Sequence, residues 1–161
     1  MITNQQLIDG FSLNTRLIQL QTDGLSHADS LVQTPYKINC MNWVLGHIAV
    51  NRDNVLRLIG RQVLLSEEQR LRYKTESEAI VEDGPDVLQL EKLIEILSTG
   101  QLRLEEAIKE LSDMDLLEQI QVGDGMMLLG TRLYGFYFHD TYHTGQTELL
   151  RQIAGADDKV V

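Results

Sequence analysis

Leu90, Ile94, Leu97, Gln101, Leu104, Ile108 and Leu111 recur at alternating intervals of four and three residues, with charged side chains in between. Those intervals return a helix to the same face, so the segment reads as a helix with one apolar seam over about Asp86 to Ser112. A single helix cannot hide such a stripe, and burying it requires neighbouring helices. The expected fold is therefore all-α, with helices packed side by side around a shared interior. Asp86 is a reasonable N-cap for this helix. Gln101 breaks the seam, either as a solvated position or as a polar group facing the same interior as Asn51.

The rest of the chain supplies neighbours. Leu7, Phe11, Ile18 and Leu25, widened by Leu17 and Leu20, predict a first helix over about Asn4 to Thr22, ended by Asp23-Gly24. A polar connection punctuated by Pro35 follows, and its His27 reads as an exposed loop imidazole. A second helix, about Asn39 to Ile59, turns Cys40, Trp43, Val44, His47, Asn51, Asn54 and Leu58 toward one side. The middle of that stripe is polar. Burying such groups costs ~1–3 kcal/mol each unless something partners them, and a cavity, ligand or metal would do so. Gly46, next to His47, costs the helix about 1 kcal/mol and allows a neighbouring helix to come close. Gly60 closes the second helix.

Arg61 to Pro85 forms a long, charged connection, with an exposed turn or short helix near Glu67–Arg72. That length suits a crossover returning the chain to its starting end, so that the seam helix runs parallel to the second. Beyond the seam, Met114 to Val122 reads as a short helical piece. Gly123-Asp124-Gly125 reads as a turn without flanking strands, and a last helix spans about Met127 to Ala154 before Gly155 stops it.

Composition narrows the function classes. The 161 residues, 43% hydrophobic, suit one domain spanning 1–161 with a sizeable core. A formal charge of 14 − 24 = −10 argues against a nucleic-acid surface and against binding anionic lipid. No segment approaches the ~18–20 apolar residues that span a bilayer. Met1 to Gln6 is polar and uncharged, and no signal-like apolar run follows it. With one cysteine, Cys40, and therefore no internal disulfide, a cytoplasmic protein is expected.

The chemistry lies in the last helix. His139 and His143 stand four residues apart, so both imidazoles leave one helix face a turn apart. A His-x3-His pair suits a metal, because two neutral imidazoles on adjacent turns can reach one ion. Alone, such a pair is better read as polar surface or a hydrogen-bonded core pair, and a third histidine in a matching setting reverses that reading. His47 is that third residue. Three protein ligands with one open position are the catalytic pattern, with water expected in the fourth place. Asp140 and Glu148 lie roughly 100° or more from the pair by helical phase, so no inward carboxylate is expected as a ligand or general base.

Asn42-Trp43-Val44-Leu45-Gly46-His47-Ile48-Ala49 with Arg52, and His139-Asp140-Thr141-Tyr142-His143-Thr144-Gly145-Gln146 with Leu150-Arg151, resemble the DinB-like (DinB/YfiT) family of metalloenzymes. The resemblance covers essentially the whole chain. It implies a four-helix bundle of up-down-down-up order with a long crossover between helices two and three. It also implies that His47, His139 and His143 hold a divalent metal, with Zn²⁺, Ni²⁺, Fe²⁺ and Mn²⁺ all suited to three imidazoles. Members of that family include transferases using small thiols such as bacillithiol or mycothiol, and a thiol-dependent maleylpyruvate isomerase. The implied function is a bacterial metal-dependent transferase, in which a low-molecular-weight thiol attacks an electrophilic small molecule. The alternatives are a non-catalytic, metal-stabilised stress or interaction protein and a metal-dependent hydrolase.

The helix order implied by that resemblance sets two sides of the histidines against each other. Asn51 and Asn54 face Gly135 and Arg132 on one side, and Trp43 and Cys40 face Gln146 and Leu150 on the other. The first set is polar and roomy, so the substrate pocket is expected to open there. Tyr142 and Gln146, on the histidine face, complete the candidate pocket residues. A homodimer is expected from the resemblance and from the apolar area that a short bundle leaves exposed.

Overall fold

The computed structural model describes residues 2–156, so Met1 and residues 157–161 of the expected single-domain span lie outside the described residues. Among the described residues the chain is mostly helical, with α1 (Asn4–Thr22), α2 (His27–Ser30), α3 (Met41–Leu58), α4 (Glu67–Tyr73), α5 (Leu90–Lys109), α6 (Asp113–Leu116) and α7 (Leu129–Ile153). One antiparallel hairpin joins β1 (Gln119–Val122) to β2 (Gly125–Leu128). Among the described residues no helix is long and apolar enough to cross a membrane.

The long helices α1 and α3 each pack against both α5 and α7. Hydrogen bonds give their directions. Asn14 meets Asp140 and Gln21 meets Thr147, so α1 and α7 advance together. Asn42 reaches the Leu88 carbonyl and Arg52 that of Leu97, so α3 and α5 also advance together. His47 meets His139 while Asn51 meets Phe136, so α3 opposes α7.

The seam of α5 is wider than its 4-3 spacing. Leu90, Leu97, Leu104 and Ile108 are buried as expected, and so are Leu93, Ile96, Gly100 and Ala107. Two neighbours, α1 and α3, cover α5 from different sides, so burial spreads beyond one stripe. Gln101 is buried too, and neither solvent nor Asn51 partners it. Its amide donates to Ser12 and accepts from Thr15, both on α1.

Three local readings need correction. The helix expected from Asp86 begins at Leu90, because Tyr73 Oη takes the Leu88 N–H and Asn42 takes the Leu88 carbonyl. Asp86 instead pairs with Arg72 at 2.8 Å. His27 is not an exposed loop residue: it opens α2, its Nδ1 accepts the Leu90 N–H at 3.2 Å, and its Nε2 lies 3.3 Å from Asp83. An imidazole thus takes the capping role expected of Asp86. Finally, Gly123-Asp124-Gly125 does have flanking strands. Positive φ at Gly123 allows the tight reversal, so the piece expected to be helical to Val122 ends at Leu116 and α7 starts at Leu129.

The crossover is fastened to α3. Asp53, fully buried, accepts the N–H groups of Leu64 and Leu65 at 2.9 Å each. Tyr73, the last residue of α4, lies on Gly46, so the close approach at this glycine is made by the crossover and not by a long helix. A Cβ at Gly46 would overlap the Tyr73 ring. That ring cannot step aside, because its hydroxyl donates to Asn42 and accepts from the Leu88 N–H. Gly46→Ala is therefore expected to destabilise the protein by about 1–3 kcal/mol, outweighing the ~1 kcal/mol gain in helix propensity. Urea denaturation checks this, and a stabilised variant would contradict it.

Candidate metal centre

His47 is set by its surroundings on two sides. Trp43, one turn earlier on α3, stacks on its ring at 4.6 Å and 16°. Tyr73, pressed onto Gly46, presents its backbone carbonyl 2.8 Å from His47 Nδ1. A carbonyl only accepts, so Nδ1 carries the proton and Nε2 keeps its lone pair. His143 is set the same way: with Gln146 Oε1 accepting at 2.7 Å, its Nδ1 carries the proton. His139 Nε2 lies 3.2 Å from His47 Nε2, and its buried Nδ1 has no hydrogen-bond partner among the described residues.

Each of the three imidazoles offers a nitrogen within 4.8 Å of those of the other two. The residues fit a metal. Two ligand nitrogens at ~2.0–2.1 Å from one tetrahedral ion stand about 3.3 Å apart, close to the Nε2 separation found. Two lone pairs facing at that distance repel unless a proton or a cation lies between them. Burial holds all three imidazoles below their ordinary pKa, His139 to about 4, with neighbouring imidazoles adding to the effect at His139 and His47. Neutral imidazoles are the ligating form.

A pH prediction follows from that direction. An unfolded histidine takes up its proton near 6.5, whereas folded His139 resists until about 4. The unfolded state therefore binds more protons in this window, and stability falls as pH drops from 6.5 toward 4. In metal-free protein the urea midpoint should decline over that range, and His139→Gln should lessen the decline. Equal declines in both proteins would refute the assignment.

A cavity of about 480 Å³ opens beside the cluster, lined by His47 and His139 together with Asn51, Asn54, Gly135 and Arg132. Among the described residues nothing beyond its own helix turn stands within 4 Å of the position a Cβ would take at Gly135. Asn51 donates to the Phe136 carbonyl at 3.0 Å, and the Arg132 guanidinium lies 4.2 Å over the Phe136 ring. Tyr142 and Gln146 do not line this cavity. Tyr142 is mostly exposed with its ring edge-on to His143, and Gln146 acts on His143. Cys40 is the buried N-terminal cap residue of α3 and contacts the Ile80 carbonyl.

Sequence reasoning missed two features. Arg70 and Lys74 come to the cavity from the crossover, whose placement no local pattern reveals. Asp140 was expected to turn away from the interior, yet it is fully buried. Its carboxylate takes Arg52 Nε at 2.8 Å and Nη2 at 3.2 Å, and Asn14 Nδ2 at 2.9 Å. The 100° phase is sound, but α7 is covered by both α1 and α3, so a side chain off the histidine face still meets a helix. Arg52 and Asp140 lying mid-helix, opposite in charge, were the available signal.

Fold and site together define a helical protein with a three-histidine cluster at the wall of a cavity. No protein-family model and no curated protein matches the sequence. Solved structures do share its fold. A conserved protein from Enterococcus faecalis superposes with a TM-score of 0.75 over 96% of this chain and 98% of that one, at 15% identity. A mutant of a mycothiol-dependent maleylpyruvate isomerase superposes with a TM-score of 0.63 over 90% of this chain, at 14% identity. This chain spans 62% of that isomerase. At such identities the likeness is one of fold.

Proposed function

We propose that this chain is a DinB-like four-helix bundle of up-down-down-up order that binds one divalent metal through His47, His139 and His143. Its activity in this reading is the transfer of a small thiol to an electrophilic small molecule. The observation that carries the proposal is the convergence of three imidazoles at a cavity, with a hydrogen-bond acceptor on the Nδ1 of two of them. A divalent ion there would lower the pKa of a bound thiol and so supply a thiolate at neutral pH.

The protein's own groups do the rest. Tyr73 and Gln146 orient His47 and His143, Trp43 closes the far side, and the opening beside Gly135 admits the reactants. Hydrolysis is the weaker reading because it needs a general base, and no Asp or Glu among the described residues lines the cavity. The buried carboxylates are already engaged, Asp140 by Arg52 and Asp53 by the crossover amides. A purely structural metal site is weaker as well, since it needs no cavity of this size.

Elemental analysis of protein purified without added metal, followed by a screen of small thiols against electrophiles, tests the reading. Stoichiometric metal and metal-dependent conjugation are expected. Metal without conjugation would favour the non-catalytic alternative, and no metal would remove both. The same reading includes a homodimer, supported by apolar side chains left exposed on α7 at Tyr134, Phe138, Tyr142 and Leu149. Light scattering should report a dimer at micromolar concentration, and a monomer would dispose of it.

A further inference from the structure

The charge around the cavity runs against that of the protein. The chain carries a formal −10, yet every charged side chain that lines the cavity among the described residues is cationic: Arg70 and Lys74 from the crossover and Arg132 from α7. Like charges around one cavity repel, and nothing in the packing of the helices requires them there. Arg70 is the most telling of the three. Its side chain is largely buried, and Nη2 donates to Asn54 Oδ1 at 3.1 Å. Its Nε faces the exposed carboxylate of Glu67 at 3.8 Å. The third nitrogen, Nη1, is buried with no acceptor among the described residues. Asn54 thus holds a guanidinium fork at the cavity wall with one charged donor unused. Arg132 approaches from the other side, its guanidinium carbon 4.2 Å from the centre of the Phe136 ring.

We propose that Arg70, Lys74 and Arg132 form an oxyanion-binding subsite that receives a carboxylate or phosphate of the small molecule bound beside the three histidines. Asn54 is a positioning residue that fixes Arg70. The inference deepens the function proposed above by giving the reacting molecule an acid group in the same cavity as its reacting end. A planar guanidinium pair with a lysine suits an oxyanion because each oxygen can accept a charge-assisted hydrogen bond. A neutral ligand of the same shape would leave the cations unpaired and is disfavoured.

Calorimetry on metal-free protein with succinate, inorganic phosphate and neutral succinamide tests the subsite. Wild-type protein should bind at least one anion and not succinamide, with binding weakened by salt. Arg70→Gln and Arg132→Gln should each weaken that binding by roughly tenfold or more, whereas Arg103→Gln, outside the cavity, should not. Which anion binds tells a carboxylate source from a phosphate source. Wild-type protein that binds neither anion, or that binds succinamide equally well, overturns the proposal, as does an Arg70→Gln protein of native circular dichroism that binds like wild type. Failure of the metal reading is separately visible. His139→Ala should lose metal yet keep anion binding, and Arg70→Gln should keep metal yet lose anion binding.

Discussion

Asp140→Ala is expected to lower the unfolding free energy by about 3–5 kcal/mol, a large share of the ~5–15 kcal/mol that holds a domain of this kind together. The carboxylate sits at a junction of all four long helices. Arg52 of α3 binds it through two nitrogens, and Asn14 of α1 donates to it. The remaining Arg52 nitrogen, Nη1, donates to Thr15 of α1 and to the Leu97 carbonyl of α5, both at 2.9 Å. Arg52 is 1% exposed and Asp140 0%, so removing the carboxylate strands a guanidinium with no water to receive it. The attraction within the pair is not the measure of that loss, because desolvation offsets much of it. The double variant Arg52→Met/Asp140→Leu should therefore recover most of the stability lost by Asp140→Ala. Urea titrations of the three proteins decide this. A cost below about 1 kcal/mol for Asp140→Ala would mean that the pair behaves like a surface ion pair. The same junction anchors α7 one residue from His139, so the Asp140→Ala protein should also bind metal more weakly.

Removing any one of His47, His139 and His143 should abolish stoichiometric metal. A site with three protein ligands keeps two after each substitution. The loss in affinity should exceed the ~10–100-fold typical of a ligand's hydrogen-bond partner, which is the range expected for Gln146→Leu. Elemental analysis of the alanine variants, and competition against a chelator, measure the two effects. Thermal denaturation supplies a second readout. A chelator should lower the midpoint of wild-type protein, because an ion bound only by the folded state stabilises it by mass action, and should leave the alanine variants unmoved. Full metal content in all three variants would sink the site. An effect of Gln146→Leu as large as that of losing a histidine would mean that the amide itself is a ligand.

Much of this molecule is legible one helix at a time. The bounds of α1, the seam of α5, the polar stripe on α3 and the His-x3-His of α7 all follow from 3.6-residue periodicity, because side chains at that spacing share one face of a helix. His47, His139 and His143 stood out because three imidazoles on inward faces have few other uses. What resisted is whatever depends on a second segment. Leu90 begins α5 because Tyr73 and Asn42 claim the backbone of Leu88, and His27 caps that helix across 63 residues of sequence. The hairpin after Leu116 was hidden because four-residue strands carry too little pattern to compete with a helical reading.

Helical phase tells which residues share a face but not how many faces are covered. That is why a phase of 100° from the histidines does not place Asp140 outside the interior, since α1 and α3 together enclose it. The same limit hid Arg70 and Lys74. Their cations reach the cavity because α4 folds back onto α3, through Asp53 and through Tyr73 on Gly46. Periodicity within one segment thus chose the helices and the three imidazoles. The packing of segments far apart in the chain chose the tautomer of His47, the buried ion pair and the charge at the cavity mouth, because those depend on distances between groups that no spacing along the sequence encodes.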